Sequence, residues 1–471
     1  MKKTLAFAAF LILSLTFLLS SCMNMSFLPQ DTNPPKIETA EQALAKISEK
    51  MDSLKSYRAE GALDITGPIS SLGMHLHISA NDLSILQMSN NEASYYYENQ
   101  DMTVTVGAEE MTAKNTMAFN DGKLFFVGEM DNKEKRFYST CTANEFNSFC
   151  EGVSSLGRPL TEGYSDSALS MTPSGGYTVT LKNYDQETIN RLNASYGLPF
   201  EEDGGKISNI TITLNVDSEF LLTESTVDYS FSDRSFSGSR TVIYSQYDSA
   251  EKITDGLSVE NYTEIGDVRA VILYSSLISQ KQEKVSDSFD FSYTQKFSTY
   301  GTSTKKTEND KVRFGTENGS YYFVVNSDVD GRKSTVTYRD GEYRKDGALE
   351  SSNYSDYEAK KFIDGLIEPF PISFLDVGTV ISSPTEKGML YTFKIDSLDM
   401  QFYLKELLES ANMYYSNATM SVEMLVKDYE LVSLRYIVVG KGSISVSSNV
   451  RYDATLEFDV VVSYDSSEPD L

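Results

Sequence analysis

The stretch Thr39–Gly61 reads TAEQALAKISEKMDSLKSYRAEG and changes character part-way along. Thr39-Ala40-Glu41-Gln42 is a capping box: a hydroxyl, then three residues later a side chain able to reach back. It predicts a helix start. Leu44, Ile47, Met51 and Leu54 follow at spacings of +3, +4 and +3, one apolar face of a helix. From Tyr57 onward the chain turns to strand chemistry.

The same order recurs further along. Asp267 introduces Val268, Val271, Ile272, Ser275 and Ile278 at helical spacing, and Phe289, Phe291 and Tyr293 then alternate with Asp290 and Ser292. Asn120-Asp121-Gly122 and Arg339-Asp340-Gly341 both carry the Asp-Gly signal of a tight hairpin. Thr142–Glu145 and Ser355–Glu358 are both capping boxes, and their helices continue through Phe149-Cys150 and Phe362-Ile363. Tyr177-Thr178-Val179 leads to a helix near Asp185–Leu192, and Tyr391-Thr392-Phe393 to one near Ser397–Leu408. The offsets between these pairs are 219, 213 and 214 residues, stable enough to imply a duplication. Each unit ends in long alternating strands, Ile210–Leu214 in the first and Val422 to Val432 in the second. The pattern predicts an α+β protein of two tandem units, residues 37–266 and 267–471, each an antiparallel sheet with helices packed on one face and water on the other.

Composition narrows the function classes. The chain has 471 residues, 40% of them apolar and 23% charged, as in ordinary globular proteins. Its formal net charge is -27, which repels phosphate backbones, so no nucleic-acid partner is expected. Two His, three Cys and no Trp leave little for metal or nucleophile chemistry, whereas 30 Tyr and 25 Phe favour strands.

Lys2 and Lys3 precede an apolar run from Leu5 to Leu19, the layout of an export signal and short for a transmembrane helix. Leu19-Ser20-Ser21-Cys22 resembles the lipobox of bacterial lipoproteins. That resemblance implies a signal peptide over 1–21, a diacylglyceryl-modified Cys22 as the new N-terminus, and anchorage on the extracytoplasmic face of a membrane, at the cell surface or in a periplasm. The alternative is an ordinary cleaved signal with a chance cysteine. Residues 22–36 read as a tether. Without the two leader lysines the net charge becomes -29, so attachment to anionic lipid falls to the anchor.

With the lipobox, the opening helix–strand segment Ala43–Gly61 resembles the LolA/LppX/LprG-like lipoprotein-carrier superfamily. The resemblance implies a strongly curved half-barrel capped by helices in each unit, with an apolar interior able to hold acyl chains. No arginine here matches the one that some carriers use to hold their closed state. Tyr96, Phe119, Phe125, Phe149 and Phe362 are the candidates for lining such a cavity. Aromatic core packing is the competing reading for each of them.

Other groups weigh less. Cys141 and Cys150 would make one disulfide in an oxidising compartment, but nine residues of helix would separate them by about 13 Å. Cys150 then reads as a buried structural thiol. His75 and His77 lie at i, i+2 without an evident third ligand for zinc. Asn326–Gly331 imitates half a calcium loop, but Thr337 stands where the closing Glu belongs, so a hairpin turn is the better reading. No P-loop, G-x-S-x-G or G-x-G-x-x-G fingerprint occurs. The expectation is a lipid-anchored protein that binds an apolar or amphipathic ligand (lipid, acyl chain or lipopeptide) without catalysis, cofactor or metal. The alternatives are a structural or sensory module with a protein partner, and an exported hydrolase.

Overall fold

The computed structural model describes residues 37–464 except 70–72, 90–91, 157–160, 187, 190–205, 283, 285, 318–319, 397–400, 402–403, 406–412 and 448–449. The leader, Cys22 and the tether lie outside the described residues. So does much of the two helices expected near Asp185–Leu192 and Ser397–Leu408, whose described residues 186, 188, 189, 401, 404 and 405 are helical. The chain divides into two compact units between Glu264 and Ile265.

The first unit opens with helix α1 (Ala40–Asp52). The strands β1 (Ser56–Ile69), β2 (Met74–Ser89), β3 (Glu92–Val106), β4 (Glu109–Asn120), β5 (Lys123–Met130) and β6 (Lys133–Thr140) then form a meander. Helix α2 (Ala143–Leu156) follows, then β7 (Tyr164–Met171), β8 (Tyr177–Tyr184), β9 (Ile207–Val216), β10 (Leu222–Phe231), β11 (Ser237–Ser245) and the two-residue β12 (Thr263–Glu264). The second unit repeats the plan: α3 (Val268–Gln282), a meander of β13 (Ser286–Thr299), β14 (Thr302–Glu317), β15 (Ser320–Val329), β16 (Arg332–Arg339), β17 (Glu342–Lys345) and β18 (Ala348–Ser351), then α4 (Asp356–Ile367). It closes with β19 (Val377–Thr385), β20 (Gly388–Ile395), β21 (Tyr414–Lys427), β22 (Glu430–Ser447) and β23 (Val450–Ser463).

The sheet orders are β12-β6-β5-β4-β3-β2-β1-β11-β10-β9-β8-β7 and β18-β17-β16-β15-β14-β13-β23-β22-β21-β20-β19, and neither order closes into a barrel. Apart from the short β12, which runs parallel to β6, the two orders are the same. The strands are long and the helices few, so the protein is mostly β rather than evenly α+β.

Local chemistry explains the joints. Asp121 and Gly122 turn β4 into β5 with φ of 50° and 71°, and Asp340 and Gly341 turn β16 into β17 with 52° and 81°, matching the twist of the strands they join. The two capping boxes have the same geometry: Glu145 N–H donates to Thr142 Oγ1 at 3.2 Å and Glu358 N–H to Ser355 Oγ at 3.2 Å. The glutamates return the contact, each accepting the cap residue's N–H at 2.8 Å. At α1 the reciprocal contact shifts by one residue, for Gln42 Oε1 accepts from Glu38 N–H instead of from Thr39.

Two expectations need correction. The run Val422 to Val432 is two strands, because Asp428 and Tyr429 adopt φ of 50° and 61° and reverse the chain there. A tyrosine at such a φ leaves no glycine to mark the turn. The back of the first sheet is also not uniformly wet. The segment leaving β11 crosses it: Tyr95, fully buried, donates its hydroxyl to Ile253 O at 2.6 Å and packs with Ile85 and Ala250, while Tyr262 meets Phe125 edge-on at 5.0 Å.

Removing the Ser355 hydroxyl (Ser355→Ala) leaves Glu358 N–H without its cap, and a cap of this kind contributes about 1 kcal/mol. Urea denaturation should show that loss in the second unit's transition, with an unchanged slope.

Candidate functional site

On every strand, alternate residues face the helix-covered side, here called the inner face. In the first unit this face carries Leu63 and Ile65 of β1, Ile78 and Ala80 of β2, and Met102 and Val104 of β3, packed with Ala43, Leu44 and Ile47 of α1 in one core. A second core lies under α2. Phe146 stacks on Phe119 at 4.6 Å and lies 5.5 Å from Tyr96, with Phe149 also buried. Tyr96 and Phe119, paired in register, are thus brought together under Phe146, which lies one helical turn before the buried Phe149. Phe125 does not join them: it faces the back of the sheet, against Tyr138 and Tyr262. Phe362 holds the equivalent place in the second unit, where it stacks on Phe323 at 5.2 Å.

Between the two cores of the first unit runs a row of buried polar groups. Register aligns Gly61 with Asp82, Asp82 with Gln100, Gln100 with Asn115, and Asn115 with Gly128. Asp82 accepts both contacts of Arg240 Nη2, at 3.1 and 3.2 Å, although Arg240 stands on β11, beyond β1. Gly61 makes this reach possible, since a Cβ there would lie 2.3 Å from Asp82 Oδ1. Glu98, fully buried, accepts the Tyr96 hydroxyl at 2.6 Å. Ser84 Oγ and Asn115 Oδ1 are buried without a hydrogen-bond partner. Alternation alone places these polar residues in the inward phase of their strands, and that signal was available in the sequence.

The second unit buries a different cluster. Tyr274 of α3 donates to Glu368 Oε1 at 2.7 Å and lies 3.1 Å from the Tyr436 hydroxyl, and the Tyr464 hydroxyl donates to Ile367 O at 2.8 Å. Burial pushes the Glu368 carboxyl up to about 7, against the hydrogen bonds from Tyr274 and Ile372 N–H, with Asp364 pushing the same way. Burial likewise holds the Tyr274, Tyr436 and Tyr464 phenols well above their ordinary range. Next to Tyr274 is a recess of about 180 Å³ lined by Val271, Ser275, Ile372, Phe374, Val377 and Phe393. Most of that space is open to solvent, and the enclosed part, about 10 Å³, has room for no more than a single water.

The remaining candidates stand apart. Cys141 is buried and Cys150 only half-buried, and no disulfide joins them. Counted from the equivalent caps Thr142 and Ser355, Cys150 aligns with Ile363, but α2 buries Phe149 at this turn and leaves Cys150 half-buried, so the expected buried thiol at Cys150 is corrected. His77 Nε2 lies 2.9 Å from Asp64 Oδ2, and His75 faces Thr66. Among the described residues no group of three or more potential ligands could hold a metal ion. Asp330 and Gly331 form the hairpin between β15 and β16, with Asp328 Oδ1 accepting from Gly331 N–H at 2.8 Å. Among the described residues no helix is long and apolar enough to cross a membrane.

No protein-family model and no curated protein matches the chain. Among solved structures, it is similar to a DUF1329 family protein from Desulfovibrio piger, 10% identical over 48% of this chain and 95% of the other, with a TM-score of 0.17. OpdQ of Pseudomonas aeruginosa is 7% identical over 87% and 98% of the two chains, with a TM-score of 0.13. The translocator domain of the autotransporter NalP from Neisseria meningitidis is 7% identical over 90% and 95%, with a TM-score of 0.10. Similarity at this level carries no argument about architecture or activity.

Two measurements follow from these clusters. Arg240→Leu strands a buried carboxylate and should cost about 3–5 kcal/mol, and the double variant with Asp82→Asn should recover much of it; urea denaturation of the three proteins tests this. Glu368 holds a proton in the folded state that the unfolded chain releases from about pH 4.5 upward. Stability should therefore fall as pH rises from about 4.5 to 7, by on the order of 2–3 kcal/mol. Glu368→Gln should flatten that slope in melts between pH 4.5 and 8.

Proposed function

We propose that this chain is a lipid-anchored extracytoplasmic protein that holds an apolar or amphipathic ligand against the inner face of a sheet, as a lipid or lipoprotein carrier would, without catalysis. The supporting observation lies in the second unit. At one end its inner face is sealed by Phe289, Phe291, Val312, Phe314, Phe323 and Val325, all buried. Toward the other end the same strands present Tyr293, Gln295, Phe297, Ser327 and Val329, all half-exposed, with the Lys306–Glu308 pair between them and the buried Leu456 and Phe458 beside them. Tyr293 and Phe458 lie ring to ring at 5.9 Å. An apolar strip that is covered at one end and open at the other offers burial to an alkyl chain at about 25 cal/mol per Å². The curved half-barrel and the acylated Cys22 belong to this reading through their resemblance to lipoprotein carriers.

The filled aromatic core under α2 favours a second role for the first unit, as a packed structural or sensory module that meets a protein partner.

Titration calorimetry of the full-length chain with 1-dodecanol and with laurate, both below micelle formation, tests ligand binding. Saturable binding is expected, weakened roughly tenfold when Phe297→Asp puts a charge in the strip. The absence of binding for both probes would remove the ligand reading.

A further inference from the structure

We propose that the open strip of the second unit takes an amphiphile bearing a protonated amine, and that Asp310 is the group that receives it; this rests on the ligand reading above. The two units show the reason when their equivalent positions are compared. In the first, Asp82 on the second strand pairs in register with Gly61, which pairs with Val242, and Arg240 two residues along the last strand reaches across to the carboxylate. In the second, Asp310 on the second strand pairs in register with Phe291, which pairs with Val462. Here Val460 stands in the place of Arg240, and the Phe291 side chain fills the passage that Gly61 leaves open. The acid is retained and its built-in cation is gone.

Asp310 is 5% exposed, and its Oδ1 is buried without a hydrogen-bond partner. It sits where the sealed core gives way to the half-exposed strip. The charged groups on its own strand and face are Glu308 and Lys306, and these satisfy each other at 3.6 Å, with Lys306 also 5.9 Å over the Tyr293 ring. From β15 only the Ser327 hydroxyl approaches, and from β13 and β23 the facing residues are Phe291, Tyr293, Val460 and Val462. Among the described residues, Asp310 has no cation paired with it. Burial pushes that carboxyl up to about 6, with Glu308 adding to the rise and Ser327 opposing it. Above that pH a buried carboxylate lacks a counter-ion, a costly state that an incoming ammonium relieves. A primary alkylamine, like a lysine side chain, stays protonated at neutral pH. Its alkyl chain can lie along Tyr293, Phe297 and Phe458 while its nitrogen meets Asp310.

Calorimetric titration of the full-length chain at pH 7.5 with dodecylamine, 1-dodecanol and laurate separates the outcomes, because the three probes share a chain length and differ in head group. Dodecylamine should bind roughly tenfold or more tightly than dodecanol, and laurate more weakly than either. Asp310→Asn, checked for an unchanged circular dichroism spectrum, should bring dodecylamine down to the dodecanol level and leave dodecanol binding in place. Equal affinities for amine and alcohol in the unmodified protein would overturn the amine site while the ligand reading stands, and that comparison needs no variant. An amine preference that survives Asp310→Asn would assign it elsewhere and overturn Asp310 as the receiving group. Absence of binding for all three probes would overturn the ligand reading and this inference with it.

Discussion

Each sheet is joined at its centre by a pairing between the first and the last strand of its unit. β1 lies against β11, with Arg58 opposite Ser245, and β13 lies against β23, with Asp290 opposite Ser463. Most pairs on either side are hairpins of consecutive strands that the turn residues can set by themselves, the longer connections being those before β9 and β21. The central seam has no such help, and its ends meet only after the whole unit has been made. Closing so long a loop costs entropy that the seam's own hydrogen bonds and side chains must offset. Such non-local pairing slows folding relative to the hairpins around it.

The seam also decides what the inner face can do. In the first unit it is where Arg240 crosses β1 to meet Asp82, so the junction is fixed by a buried ion pair that fails if either partner is removed. In the second unit the same junction is closed with Phe291, Val460 and Val462, and its stability comes from burial alone. In the first sheet that ion pair continues into the row of buried polar groups between its two cores. In the second, Asp310 lies beside an apolar seam with no arginine reaching it among the described residues. One plan thus pairs the acid on the second strand with an arginine in one unit and places a valine where that arginine would stand in the other.

Much of this plan was legible from local chemistry. The Asp-Gly turns at Asp121 and Asp340 and the capping boxes at Thr142 and Ser355 mark the same joints in both units, because each depends on two to four neighbouring residues. What escaped depends on residues far apart. The turn at Asp428 and Tyr429 has no glycine to announce it. The crossing of the first sheet's back by the segment after Ser245 carries no periodicity, so Phe125 was grouped with Tyr96 and Phe119 although it faces the other way. The pairing of Asp82 with Arg240 spans 158 positions and becomes visible only through register. Inward-phase polar residues on alternating strands were the one readable hint of that buried row.

Because neither sheet closes, each unit ends in two strands with backbone groups that another chain could extend. Those edges are poor templates. β12 has two residues and β18 four, too short for a stable added strand. β19 carries Pro384, and its middle is occupied, since Gly266 N–H donates to Val380 O at 2.9 Å. β7 exposes Ser165, Asp166, Ala168, Ser170 and Met171, with no continuous apolar run. A mostly β protein with a large acidic charge can therefore be crowded on a surface at high density without stitching its sheets together. The same open architecture is, at its margins, a poor template for added strands.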